Sequence, residues 1–160
     1  MPPSPSSLQT RSHIIGPILL LIWAGVTIGV AFIATPAKFL ATTLSWPGWL
    51  DVGRHTFAVY NKVELIVVVL VAAVALRLNQ RVLLHALMVP ALIVLTETLW
   101  LIPALDHGVV AFIQGKQSLP NSPLHFVYII AEIVKTITLI FFGWRILNTI
   151  SRSADLTPSP

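Results

Sequence analysis

Cysteine is absent from the 160 residues, and charged residues make up only 10% of them. Without a thiol there is no disulfide scaffold, no Cys-ligated zinc or iron–sulfur centre and no thiol nucleophile. The shortage of charge is as restrictive. A soluble domain carries about 25% charged and about 45–50% apolar residues, whereas 56% of this chain is hydrophobic. Those proportions exclude a disordered chain, a coiled coil and an ordinary water-soluble enzyme. P-loop, dinucleotide-binding, HExxH and nucleophile-elbow motifs are missing, as are lipidation signals and any internal repeat. Period-2 alternation is missing too, which excludes a membrane barrel.

What is present is a set of long apolar runs between the few charges. Four of them, at 14–35, 56–76, 82–103 and 125–147, reach the roughly 20 residues that cross a hydrocarbon core. In lipid the backbone must satisfy its own hydrogen bonds, which makes each run a helix. The expected fold is all-α, an integral membrane four-helix bundle. A single four-span domain over 14–147 lies between flexible Pro/Ser-rich tails at 1–13 and 148–160. The first run is longer than the usual 7–15 residues of a signal-peptide core, so it is expected to stay as a span. Its Gly25 and Gly29 have the GxxxG spacing of close-packed membrane helices. Pro90 is expected to bend the third span.

Lysine and arginine in the short loops set orientation. Arg11, Arg77, Arg81, Arg145 and Arg152 fall on the side of both termini, against Lys38, Arg54 and Lys116 on the other. This bias expects both termini in the cytoplasm, in a multi-pass protein of the plasma or inner membrane. The net charge of +4 then needs no nucleic acid, because basic span ends face anionic headgroups. The lipid bilayer is the expected partner, with a homo-oligomer or a larger membrane complex as further options. The outward segments 36–55 and 104–124, with Trp46 and Trp49 in the first, are expected to lie partly along the interface.

The intramembrane charges share a depth. Glu64 with Lys62 lies early in span two, Glu97 late in span three, and Glu132 with Lys135 in the first half of span four. Because spans alternate in direction, all three glutamates belong to the outer half. An ionised side chain inside a span costs at least ~2.5 kcal/mol on the mildest scale, so these residues should face one another or the lysines. Asn61 precedes Glu64 by three positions. His125 lies two helical turns before Glu132, and Tyr128 one turn before it. The expected site is an outward-facing pocket of Glu64, Glu97, Glu132, Lys62, Lys135, Asn61, Tyr128 and His125.

Four uses of such a pocket are open. Lysines neutralising glutamates could simply fix helix pairing. Buried carboxylates could handle ions or protons, although the inner half offers no polar relay. A metal-dependent membrane enzyme could use Glu64, Glu97, Glu132, His125 and His107, although the Glu-x-x-His motif of helical di-metal sites is absent. No cofactor is required by the sequence, and a bound metal is the one candidate. Finally, the GxxxG face and the interfacial tryptophans would suit an accessory subunit.

The run GVTIGVAFIATPAKF at 25–39, followed by FAVY at 57–60, resembles the opening of the small four-span membrane proteins related to transmembrane protein 205. His125 on the last span fits that pattern. Glu132 departs from it, standing where that group often has an asparagine. The resemblance covers the first third of the chain and a few later positions. It implies four spans and no particular chemistry.

Because the chain has no native cysteine, its topology can be read with single substitutions. Ser45→Cys and Ser118→Cys are expected to react with a membrane-impermeant thiol reagent on intact cells, and Asn79→Cys is not. The opposite labelling pattern would reverse the orientation.

Overall fold

In a computed structural model, residues 5–116, 118 and 123–155 are described, with side chains over 13–116, 118 and 123–153. All regular structure among them is helical. Helix α1 (Pro5–Thr27) runs into a π-helical segment (Ile28–Ala34), the short α2 (Thr35–Ala37) and a 3₁₀ turn (Lys38–Leu40). There follow α3 (Trp46–Arg77), α4 (Arg81–Thr96), a second π-helical segment (Glu97–Leu101), α5 (Ile102–Ile113) and α6 (Pro123–Asp155). These form four helical runs long and apolar enough to cross a membrane, His13–Leu40, Trp46–Arg77, Arg81–Ile113 and Pro123–Ser153.

The turns explain the up-and-down course. Asn79 has φ 51°, and Gln80 N–H donates to Ala75 O at 2.8 Å while Asn79 N–H donates to Leu76 O at 3.2 Å. This is the paired-bond helix ending in which a left-handed residue reverses the chain. It joins α3 to α4 as antiparallel neighbours. Gly115, with φ 69°, closes α5 in the same way, through Lys116 N–H on Ala111 O at 2.9 Å. Gln80 also reaches across to His13, its amide 2.9 Å from Nδ1, and so ties the turn to the first span.

Both π-helical segments stop one residue before an X–Pro step, at Thr35–Pro36 and Ile102–Pro103. A proline inside a helix lacks an N–H and its ring crowds the carbonyl four residues back. A wider turn upstream relieves that crowding, and in the first case Thr35 Oγ1 donates to Val30 O at 2.8 Å, five residues back. Pro17 and Pro90 lie within α1 and α4, which continue past them.

The packing suits lipid as solvent. Large apolar side chains such as Ile66, Val69, Leu92 and Ile137 face outward, while the interior holds both an apolar core and a polar one. Leu20, Val71, Leu83, Leu87, Val94 and Leu139 form the apolar part.

Several boundaries differ from expectation. Helix α1 begins at Pro5 and α6 reaches Asp155, so helix continues into both stretches expected as tails. Residues 46–55 are the first turns of α3, and 104–113 continue the third span as α5, which packs on α3. The glycine pair packs on no other described helix of the chain. A Cβ on Gly25 or Gly29 would meet nothing within 4 Å, so their spacing serves no packing inside the chain. The close approaches are at Gly16, where a Cβ would strike Leu83, and at Gly143, where it would lie 2.8 Å from Leu21 Cγ and 3.3 Å from Pro17 O.

Overpacking a tight helix contact costs about 1–3 kcal/mol. Gly143→Val should therefore lower the thermal midpoint in detergent, whereas Gly25→Ala and Gly29→Ala should leave it unchanged. Equal losses at all three would misplace the α1–α6 contact.

Candidate functional site: one lysine among three glutamates

Four helices converge on one buried polar centre. Helix α6 presents Tyr128, Glu132, Lys135 and Thr136 on one face, at helical spacings of four, three and one. Helix α3 contributes Tyr60, Asn61 and Glu64. Glu97 opens the second π-helical segment, and α1 supplies Trp23 and Thr27. The centre is deep. Lys135 is ten residues from both His125 and Arg145, ~15 Å along the helix each way. Glu64 and Glu97 are each nine residues from the polar ends His55 and Asp106 on the side of the 41–45 and 114–122 links. They stand farther, thirteen and sixteen residues, from Arg77 and Arg81 on the side of the termini. The site thus lies from the middle of the bundle toward the link side.

Lys135 is 0% exposed, and Glu64, Glu97 and Glu132 are each 1% exposed. The lysine ammonium has three protons, and each meets a different carboxylate: Glu64 Oε1 at 2.7 Å, Glu97 Oε2 at 2.9 Å and Glu132 Oε1 at 3.1 Å. Glu64 Oε1 also accepts from the Trp23 indole at 2.9 Å and from the Tyr60 hydroxyl at 2.7 Å. Tyr60 Oη shares a hydrogen bond with Thr27 Oγ1 at 2.8 Å and lies 3.4 Å from Glu132 Oε2. The ammonium also stands 5.5 Å from the centre of the Tyr60 ring. If all four groups are ionised, three negative charges face one positive charge in a dry interior.

Part of the centre lacks partners. Glu64 Oε2, Glu97 Oε1, Asn61 Nδ2 and Tyr128 Oη are buried without a hydrogen bond. Tyr128 Oη faces Glu132 closely enough to interact with it electrostatically. Asn61 is held from its other end, where Thr98 Oγ1 donates to its Oδ1 at 3.0 Å. Leaving a buried polar atom unpaired costs about 1–3 kcal/mol.

One oxygen from each glutamate lies within 4.8 Å of the others, a set that could hold a metal ion. Carboxylate oxygens suit hard cations, at about 2.0–2.6 Å. Lys135 Nζ already ion-pairs with all three of these carboxylates, so the set is centred on an ammonium. A metal would have to take its place.

The other expected site residues lie elsewhere. Lys62 is exposed and makes no ion pair among the described residues. His125 and His107 are exposed and do not join the carboxylates. Asp106 is bound by Arg54 at 3.1 Å, and Arg54 also holds Asp51 at 2.7 Å. Trp23 and Thr27 were not among the residues expected in the site. Their signal was an indole in the middle of a span, away from the interface where tryptophan is usual.

Compared with family models, curated proteins and solved structures, the chain shows no significant match to any.

Removing one partner of a buried charge network costs about 3–5 kcal/mol, so Lys135→Met should strongly destabilise the protein in detergent unfolding. Trp23→Phe, which leaves Glu64 without its indole donor, should cost about 1–3 kcal/mol. Lys62→Gln should stay within about 0.5 kcal/mol of the parent. A large effect at Lys62 with none at Lys135 would assign the wrong lysine to the centre.

Proposed function

We propose that this chain is a multi-pass membrane protein whose acid–lysine centre binds and releases protons, with both termini in the cytoplasm and the link side outward. The observation that carries the reading is the excess of acid: three glutamates, each 1% exposed, share one lysine. A net charge of −2 in hydrocarbon is strongly unfavourable. With Lys135 charged, two protons on the three carboxylates make the centre neutral. Glu97 Oε1, buried without a partner, is one place where such a proton can reside.

Exchange is one-sided in this reading. Every buried polar side chain among the described residues belongs to the centre or borders it. Toward the termini the interior is Leu20, Val71, Leu83, Leu87 and Leu139, which offers protons no relay. Toward the links, Tyr128 stands one turn beyond Glu132 and meets the Phe57 ring at 4.9 Å. The protein is then a proton-responsive binding or accessory component, and a single chain does not conduct across the membrane. A metal-dependent enzyme is the competing reading. It rests on the carboxylate set and requires Lys135 to give up its position.

Infrared spectroscopy of the protein in lipid tests this directly. The expected result is a protonated-carboxyl carbonyl band at neutral pH that exchanges in heavy water and diminishes in Glu64→Gln, Glu97→Gln or Glu132→Gln. No such band at neutral pH would reject proton storage. A band that never responds to pH while the protein stays folded would reduce the centre to a fixed structural network. Stoichiometric metal in the purified protein, lost in Glu132→Gln, would establish the metal reading instead.

A further inference from the structure

A second cation on the link side has no acid of its own. Lys38, at the end of the first span, is half-buried and appears in no ion pair among the described residues. The nearby aspartates are engaged elsewhere, since Arg54 holds both Asp51 and Asp106. Aromatic faces and a missing side chain define its position. Its ammonium lies 5.0 Å from the centre of the Phe39 ring and 5.9 Å from that of Phe57. It also rests against Gly53, where a Cβ would collide with Nζ. His125 is close enough to interact with it electrostatically. A cation partly removed from water, beside an imidazole and without a carboxylate, is a receptor for one anionic group.

The surroundings say which anion. Phe39, Trp46 and Trp49 form one aromatic cluster, with ring centres 5.3–6.1 Å apart. On its outer surface Leu40 is 80% and Trp46 54% exposed. A free anion gains nothing from such flanks. A lipid does, because its phosphate meets the ammonium while its glycerol and upper acyl carbons cover the aromatic and aliphatic surface. We propose that the Lys38–Gly53–His125 recess seats the phosphate of an anionic phospholipid in the link-side leaflet.

Gly53→Ala tests the recess without altering charge. The added methyl meets only the flexible tip of Lys38, so it evicts the ammonium and leaves the helices in place. Native mass spectrometry of the purified protein, titrated with short-chain phosphatidylglycerol, supplies the readout. The parent is expected to retain one lipid that Lys38→Gln weakens about fivefold, the effect of one lysine near an anionic surface. Gly53→Ala should weaken it similarly. Unchanged retention in Gly53→Ala alongside a loss in Lys38→Gln would show diffuse surface attraction and overturn the recess. Displacement by millimolar inorganic phosphate would show a free-anion site and overturn the lipid assignment. Equal retention by all three proteins would overturn both.

Discussion

Lys135 places a full positive charge midway along the last of four apolar helices, and the polar interior is organised around it. An ammonium in such a place needs an acceptor for each of its three protons. Three separate helical runs provide one each, through Glu64, Glu97 and Glu132. The fourth contributes Trp23, which donates to Glu64, and Thr27, which accepts from Tyr60. Each long helix is thereby fixed in depth and rotation by a hydrogen bond rather than by apolar packing alone. In the membrane setting proposed for this chain, packing gains little from burying more leucine, so such bonds carry much of the specificity.

Proline shapes the approach of two of those helices. Pro103 leaves the turn before it unable to close as an α-helix, and Glu97 is the first residue of the π-helical segment that results. Pro36 does the same at the end of the first span, just before Lys38. Wide turns of this kind occur often at functional positions. Here one carries an acid of the buried centre, and the other leads to Lys38, which makes no ion pair among the described residues. The two cationic sites are joined by touching rings, from Lys38 over Phe57 to Tyr128 beside Glu132.

The four long apolar helices were legible because charge in this chain is confined to their ends and to a few interior positions. The similar depth of the three glutamates was legible for the same reason, since His55, Asp106 and His125 lie nine, nine and seven residues from them. Rotation was harder to read. Lys62 and Lys135 look equivalent by depth. Lys62, however, is two positions from Glu64, on another face of the helix, whereas Lys135 is three from Glu132 and shares its face. If Glu64 points inward, Lys62 points out. The contribution of the first helix was hidden by its lack of charge, and its visible pattern, Gly25 and Gly29, meets no other helix among the described residues. The helical extensions beyond the apolar runs were obscured by their polar and Pro/Ser-rich composition.

The sharing of one ammonium by three carboxylates can be measured in the bilayer. Solid-state NMR on protein labelled at lysine Nζ and glutamate Cδ reads dipolar couplings between the two kinds of nucleus. The account predicts one lysine nitrogen, assigned by its loss in Lys135→Met, coupled to three distinct glutamate carboxyls. A Lys135 nitrogen coupled to a single carboxyl, or to none, would contradict it.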